Sequence, residues 1–186
     1  MDVIPILIAA AALYVLIPYV RCFFKCLSCM RQLQAVCQRE GYELRGTYPL
    51  WFLGCRYGKD CDCCILTGSG VVAVKLFGVL RASRTLVFSD YRRYFFRAHP
   101  LFSLDFFDNS QYRLPDYDFA CRLCPQWRGR PVRPVLLINP ISAEIRIQPA
   151  SGPESVSGPG DMLGNMELAS QSHLIHLLEN AGQASE

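Results

Sequence analysis

From Val3 to Val20 the chain carries no charged residue and shows no polar stripe. A helix of that length rises ~27 Å, close to the ~30 Å hydrocarbon core of a bilayer. Phe23 and Phe24 extend the apolar register, and Tyr14 and Tyr19 suit an interface. A cleaved signal peptide fits less well, because only Met1 and Asp2 precede the run and no small-x-small cleavage site lies before Arg21. A single retained span is therefore predicted.

Beyond the span the pattern changes. Cys26 to Glu40 lacks Pro and Gly and places Leu33, Val36 and Cys37 at helical spacing, predicting a helix that ends at Gly41. Asp60 to Thr67 and Gly70 to Phe77 are β-rich runs around Gly68-Ser69, the pattern of a two-residue hairpin turn. Thr85 to Ser89 and Arg93 to Ala98 predict a second hairpin. Pro100 to Arg130 has no clean period and reads as loop. Val135 to Asn139 reads as a buried strand, and Ala143 to Gln148 alternates as an outer strand. Near the end, Ser172 can cap a helix that lines Leu174, Leu177, Leu178 and Ala181 along one face, with Gly182 past its end.

The predicted organisation is a transmembrane helix over 1–21, a juxtamembrane helix over 22–41 and a mixed-sheet core over 42–148. A flexible Pro/Gly/Ser-rich loop follows over 149–160, then the last strand and C-terminal helix over 161–182 and a tail over 183–186. The fold class is α/β, with an α+β mixed sheet.

Charge sets the orientation. Arg21, Lys25, Arg31 and Arg39 follow the span and no Lys or Arg precedes it, so the positive-inside rule predicts a cytoplasmic C-terminal domain on a single-pass membrane protein. The net charge of +3 is slight and no basic run occurs, so charge alone does not indicate nucleic acid. The ten cysteines include the adjacent Cys63 and Cys64, which fit reduced cytosolic thiols better than a disulfide framework. Cys26/Cys29, Cys61/Cys64 and Cys121/Cys124 have the spacing of zinc ligands, but Cys61 and Cys64 would point to opposite faces of a strand. Cys22 and Cys26 are placed for juxtamembrane acylation.

The first hairpin carries the candidate chemistry. Counting outward from Gly68-Ser69 sets Asp62 opposite Lys75, on one face of adjacent strands. A carboxylate beside an ammonium is what metal-dependent phosphodiester cleavage uses. This stretch resembles the restriction-endonuclease-like superfamily, and within it the nuclease-related domain, whose pattern is an Asp on one strand and an acid-x-Lys on the next. The chain also resembles single-span bacterial membrane proteins of this size. The resemblance implies catalytic roles for Asp62 and Lys75 and a magnesium or manganese ion. One position departs from the pattern: Ala73 stands where the family has Asp or Glu. Glu40 or Glu43 would have to join Asp62 as metal ligands, because hard cations need several oxygens.

Two functions follow as expectations. The leading one is a membrane-anchored, non-catalytic binding module with no cofactor, touching the bilayer through residues 3–20 and binding nucleic acid or another protein. The alternative is a metal-dependent nuclease with a displaced carboxylate. His173 and His176 read as helix-edge residues.

Overall fold

The computed structural model describes residues 3–46, 62–79, 85–89, 93–97, 112–113, 129–139 and 144–183. Its first element is one unbroken helix, α1 (Val3–Arg39), so the predicted span and the juxtamembrane helix form a single rod. From Cys22 onward α1 buries Cys22, Cys26, Cys29, Met30, Leu33, Val36 and Cys37 along one face. That three-and-four spacing is the stripe of a helix lying on a sheet. The helix stops at Gly41, whose φ of 71° is the left-handed conformation glycine tolerates. Tyr42 N–H then donates to Cys37 O at 2.8 Å, closing the last turn.

The strands among the described residues form two mixed sheets. The first, of six strands, runs in the order β1 (Glu43–Gly46), β2 (Cys63–Leu66), β3 (Val71–Gly78), β7 (Val132–Asn139), β11 (Met166–Ala169), β10 (Met162–Leu163). The second, of five, runs β6 (Tyr112–Arg113), β5 (Arg93–Arg97), β4 (Thr85–Ser89), β8 (Glu144–Gln148), β9 (Ser155–Ser157). In the first sheet β3, β7 and β11 are parallel; in the second β4 and β8 are parallel. The final helix is α2 (Gln171–Gln183).

Strand alternation divides the core in two. Val72, Val74, Leu76, Val135 and Leu137 face α1 and α2, meeting Leu33, Leu174 and Leu178. Leu136, Ile138 and Leu168 face the other way, against Leu86, Phe88, Ile145 and Ile147 of the second sheet. The six-stranded sheet is thus the middle layer, helices on one face and a second sheet on the other. The mixed α+β class is as expected.

Several local expectations need correcting. The C-terminal helix starts earlier: Ser170 Oγ, not Ser172, accepts the His173 N–H at 3.2 Å, and Gly182 lies inside α2. Leu177 is only half-buried, while Leu174 and Leu178 are fully covered. β8 is not an outer strand, since β4 and β9 flank it. The Pro/Gly/Ser-rich segment over 149–160 contributes β9, paired with β8. Cys22 and Cys26 are each 2% exposed, facing the sheet rather than presenting thiols for acylation.

Among the described residues, no helix is long and apolar enough to cross a membrane. The side chains at positions 3, 9, 11, 12, 15 and 18 of α1 lie outside those described. Ile4, Ile6, Leu7, Ile8, Leu13 and Leu16 are each more than half exposed.

Candidate functional site

The β2–β3 hairpin closes as its sequence predicts. Thr67 N–H donates to Gly70 O at 2.8 Å, and Cys63 pairs with Val74, which sets Asp62 beside Lys75. The Asp62 side chain is 6% exposed and that of Lys75 20%, with Nζ 3.5 Å from Oδ2. The same Oδ2 accepts the Leu76 N–H at 2.6 Å. Burial pushes the Asp62 carboxyl above its ordinary range, and Lys75 and the Leu76 amide pull it part of the way back. This carboxylate is held by the protein's own donors.

The other proposed metal ligands are elsewhere. Glu43 pairs with Leu66, at the far end of β2 from Asp62, a separation of about 13 Å at the rise of a strand. Glu40 follows the end of α1 and is ion-paired with Arg39 at 2.8 Å. Asp62 acts electrostatically on Cys26, and from Cys26 to Arg39 the helix advances about 20 Å. Ala73 is buried against Cys64. The hairpin therefore brings Asp62 and Lys75 together but brings neither Glu40 nor Glu43 to them. No group of three or more His, Cys, Asp or Glu among the described residues could hold a metal ion. Of the zinc-spaced cysteines, Cys26, Cys29 and Cys64 are buried in the core, whereas Cys61, Cys121 and Cys124 lie outside the described residues, as does Asp60, where the first β-rich run begins.

A second polar cluster sits at the opposite end of the sheet. There the β2–β3 turn, the start of β7, Glu167 of β11 and the outer face of α2 enclose a cleft of about 540 Å³. Gly70 lets the turn approach: a Cβ there would meet Pro131 O at 2.5 Å, where Val71 N–H now donates at 2.9 Å. Glu167 is only 8% exposed at its side chain. Its Oε2 accepts Arg133 Nε–H at 2.7 Å and lies 2.6 Å from Nη2, while Oε1 is 2.9 Å from His173 Nε2. Both carboxylate oxygens are thereby occupied, the condition for burying a charge at tolerable cost. On α2, Asn180 Nδ2 lies 3.0 Å from His176 Nδ1. Thr67 and Ser69 share a hydroxyl–hydroxyl bond of 3.1 Å on the turn side.

Sequence reasoning missed this cluster, although two signals were present. Glu167 is a lone carboxylate inside the apolar run Met166–Ala169, and a charge in a covered strand demands partners. His173, His176 and Asn180 recur at helical spacing beside the Leu174/Leu178 stripe, so they share one edge of α2. Their partner Arg133 comes from β7 and could not be paired from the sequence.

No family model, curated protein or solved structure matches this chain.

Proposed function

We propose that the chain is a membrane-tethered binding module, in which a nuclease-like ion pair serves structure and the cleft beside α2 receives the ligand. The observation that carries this reading is the Asp62 carboxylate, buried and bonded to Lys75 and the Leu76 amide, with Ala73 where the metal-binding acid would stand. One carboxylate already so engaged is a poor ligand for magnesium, which demands near-ideal octahedral oxygen coordination.

The finer fold reading, a degenerate restriction-endonuclease-like core, draws support from the Asp62–Lys75 register and from the helices flanking β3, β7 and β11. The tether draws support from the uncharged run Val3–Val20 and from the exposed apolar side chains of α1. The basic flank after it favours a cytoplasmic domain.

A nicking assay on supercoiled DNA with magnesium or manganese tests the non-catalytic reading. Wild-type and Asp62→Asn chains should both leave the plasmid intact. Metal-dependent nicking by wild type that Asp62→Asn abolishes would overturn it.

A further inference from the structure

The cleft beside α2 has one unusual property: the one carboxylate on its walls among the described residues is withdrawn. Glu167 is buried, with Oε1 on His173 and Oε2 on Arg133. Among the polar groups on its walls, Arg133 and the Asn180 amide offer N–H donors, beside the Thr67 and Ser69 hydroxyls. Arg133 has five N–H groups, of which its two contacts to Glu167 use two, and its side chain is 54% exposed. His176 is exposed, with Asn180 Nδ2 3.0 Å from its Nδ1 and 3.5 Å from its Nε2. Asn180 keeps a second amide N–H. Apolar Val132, Leu177 and Ala181 line the same walls. The volume, about 540 Å³, is that of a small-molecule site.

The position of the cleft narrows the source of its ligand, and this step rests on the membrane-tethered reading above. At the other end of β7, Asn139 Nδ2 donates to Lys25 O at 2.9 Å, just past the apolar run of α1. Val132 opens β7, so the cleft lies about 23 Å further from the bilayer along that strand. α2 runs alongside α1 in the same direction, with Gln171 bonded to Gln32 and Glu179 to Arg39. Headgroups extend only ~5–8 Å beyond the hydrocarbon. A lipid phosphate would not reach the cleft.

We infer that the cleft binds a small soluble organic anion, a phosphate monoester or carboxylate with an apolar portion. Arg133, His176 and Asn180 hold the anionic group, and Val132 and Leu177 contact the remainder. Glu167 and His173 position Arg133 without touching the ligand.

The test uses the full chain in phosphatidylcholine nanodiscs titrated with phenyl phosphate, followed by the NMR signals of Arg133, His176 and Asn180. A second arm replaces part of the lipid with phosphatidylglycerol and adds no phenyl phosphate. Saturable shifts at those residues with phenyl phosphate, and none with the anionic lipid, are expected. The double variant His176→Ala/Asn180→Ala, altered only at exposed positions, should weaken binding at least about tenfold, the effect of losing hydrogen bonds to a charged group. Arg133→Lys, which keeps a charge beside Glu167, should weaken it as well. The inference is overturned by no saturable shift up to about 10 mM, weaker than any specific site of this size, or by a double variant that binds like wild type. Shifts only in the phosphatidylglycerol arm would overturn it too. Metal-dependent nicking would end the non-catalytic reading without touching this result, and absent phenyl phosphate binding would leave that reading standing.

Discussion

Asp62 Oδ2 accepts the backbone N–H of Leu76 at 2.6 Å, so a side chain at the end of β2 completes the hydrogen bonding of β3. Lys75 approaches the same oxygen at 3.5 Å. Asp62→Ala leaves a covered amide and a largely covered ammonium without their acceptor, and should cost about 1–3 kcal/mol in urea unfolding. Asp62→Asn keeps an amide oxygen for Leu76 and should cost less. Equal losses from both would mean that the charge, not the hydrogen bond, is what the hairpin uses.

The same carboxyl gives an unusual pH signature. Burial raises it above its ordinary value of 3.8. Between that value and its raised one, the folded chain holds the proton more tightly than the unfolded chain does. Stability falls with rising pH wherever the native state binds more protons. The stability difference between wild type and Asp62→Asn should therefore shift against wild type as pH rises from about 4 through this window. A shift the other way would show that Lys75 and the Leu76 amide outweigh burial.

Thiol reactivity reports on the helix–sheet interface. Burial pushes Cys29 up to about 12, Cys37 up to about 11 and Cys63 well above its usual range. All three are at most 2% exposed. Thiolate is the reactive form, so at about pH 8 these cysteines should resist iodoacetamide in the folded chain and react on denaturation. Mass spectrometry of the alkylated peptides reads the result. Prompt native labelling of Cys29 would mean that α1 lifts from the sheet.

The local signals were legible in the sequence, and the long-range ones were not. A two-residue turn fixes its own register, so Asp62 and Lys75 could be paired by counting. The helical stripe through Leu33, Val36 and Cys37 was equally plain. Nothing local foretold that β3 would lie parallel to β7, because that pairing joins Val71 to Val132 across a long stretch of chain. Nor could the division into two sheets be read, since alternation says which residues share a face but not what covers that face. The Glu167 cluster depends on both unread steps. Arg133 and Glu167 meet only because β7 and β11 are neighbours, and His173 joins them only because α2 covers that face.

On α2 the burial pattern separates two adjacent leucines. Leu178 is fully buried against the helix-side core, whereas Leu177 is half-buried along the cleft. Leu178→Ala should cost about 2–5 kcal/mol, and Leu177→Ala should cost clearly less. Chemical denaturation of the two variants decides it. A reversed order would mean that α2 is rotated on the sheet.

The continuity of α1 joins the proposed tether to the folded core. Its second half is core, with Leu33 and Cys29 wholly buried, while its first half displays Ile4, Leu7, Leu13 and Leu16. Removing residues 3–20 should therefore release the protein from membranes without unfolding the domain, because the helix-side core begins at Cys22. The full chain should remain in the pellet after alkaline carbonate extraction, and the shortened chain should appear in the supernatant. A less drastic variant guards against artefacts of truncation. Leu13→Arg puts a charge near the middle of the apolar run, where membrane insertion loses about 2.5–3.5 kcal/mol. It should shift part of the population into the supernatant while leaving the denaturation midpoint of the domain unchanged. Should the full chain be extracted by carbonate as readily as the shortened one, the apolar half of α1 would have another occupant, with a second copy of the same helix the first to examine by analytical ultracentrifugation.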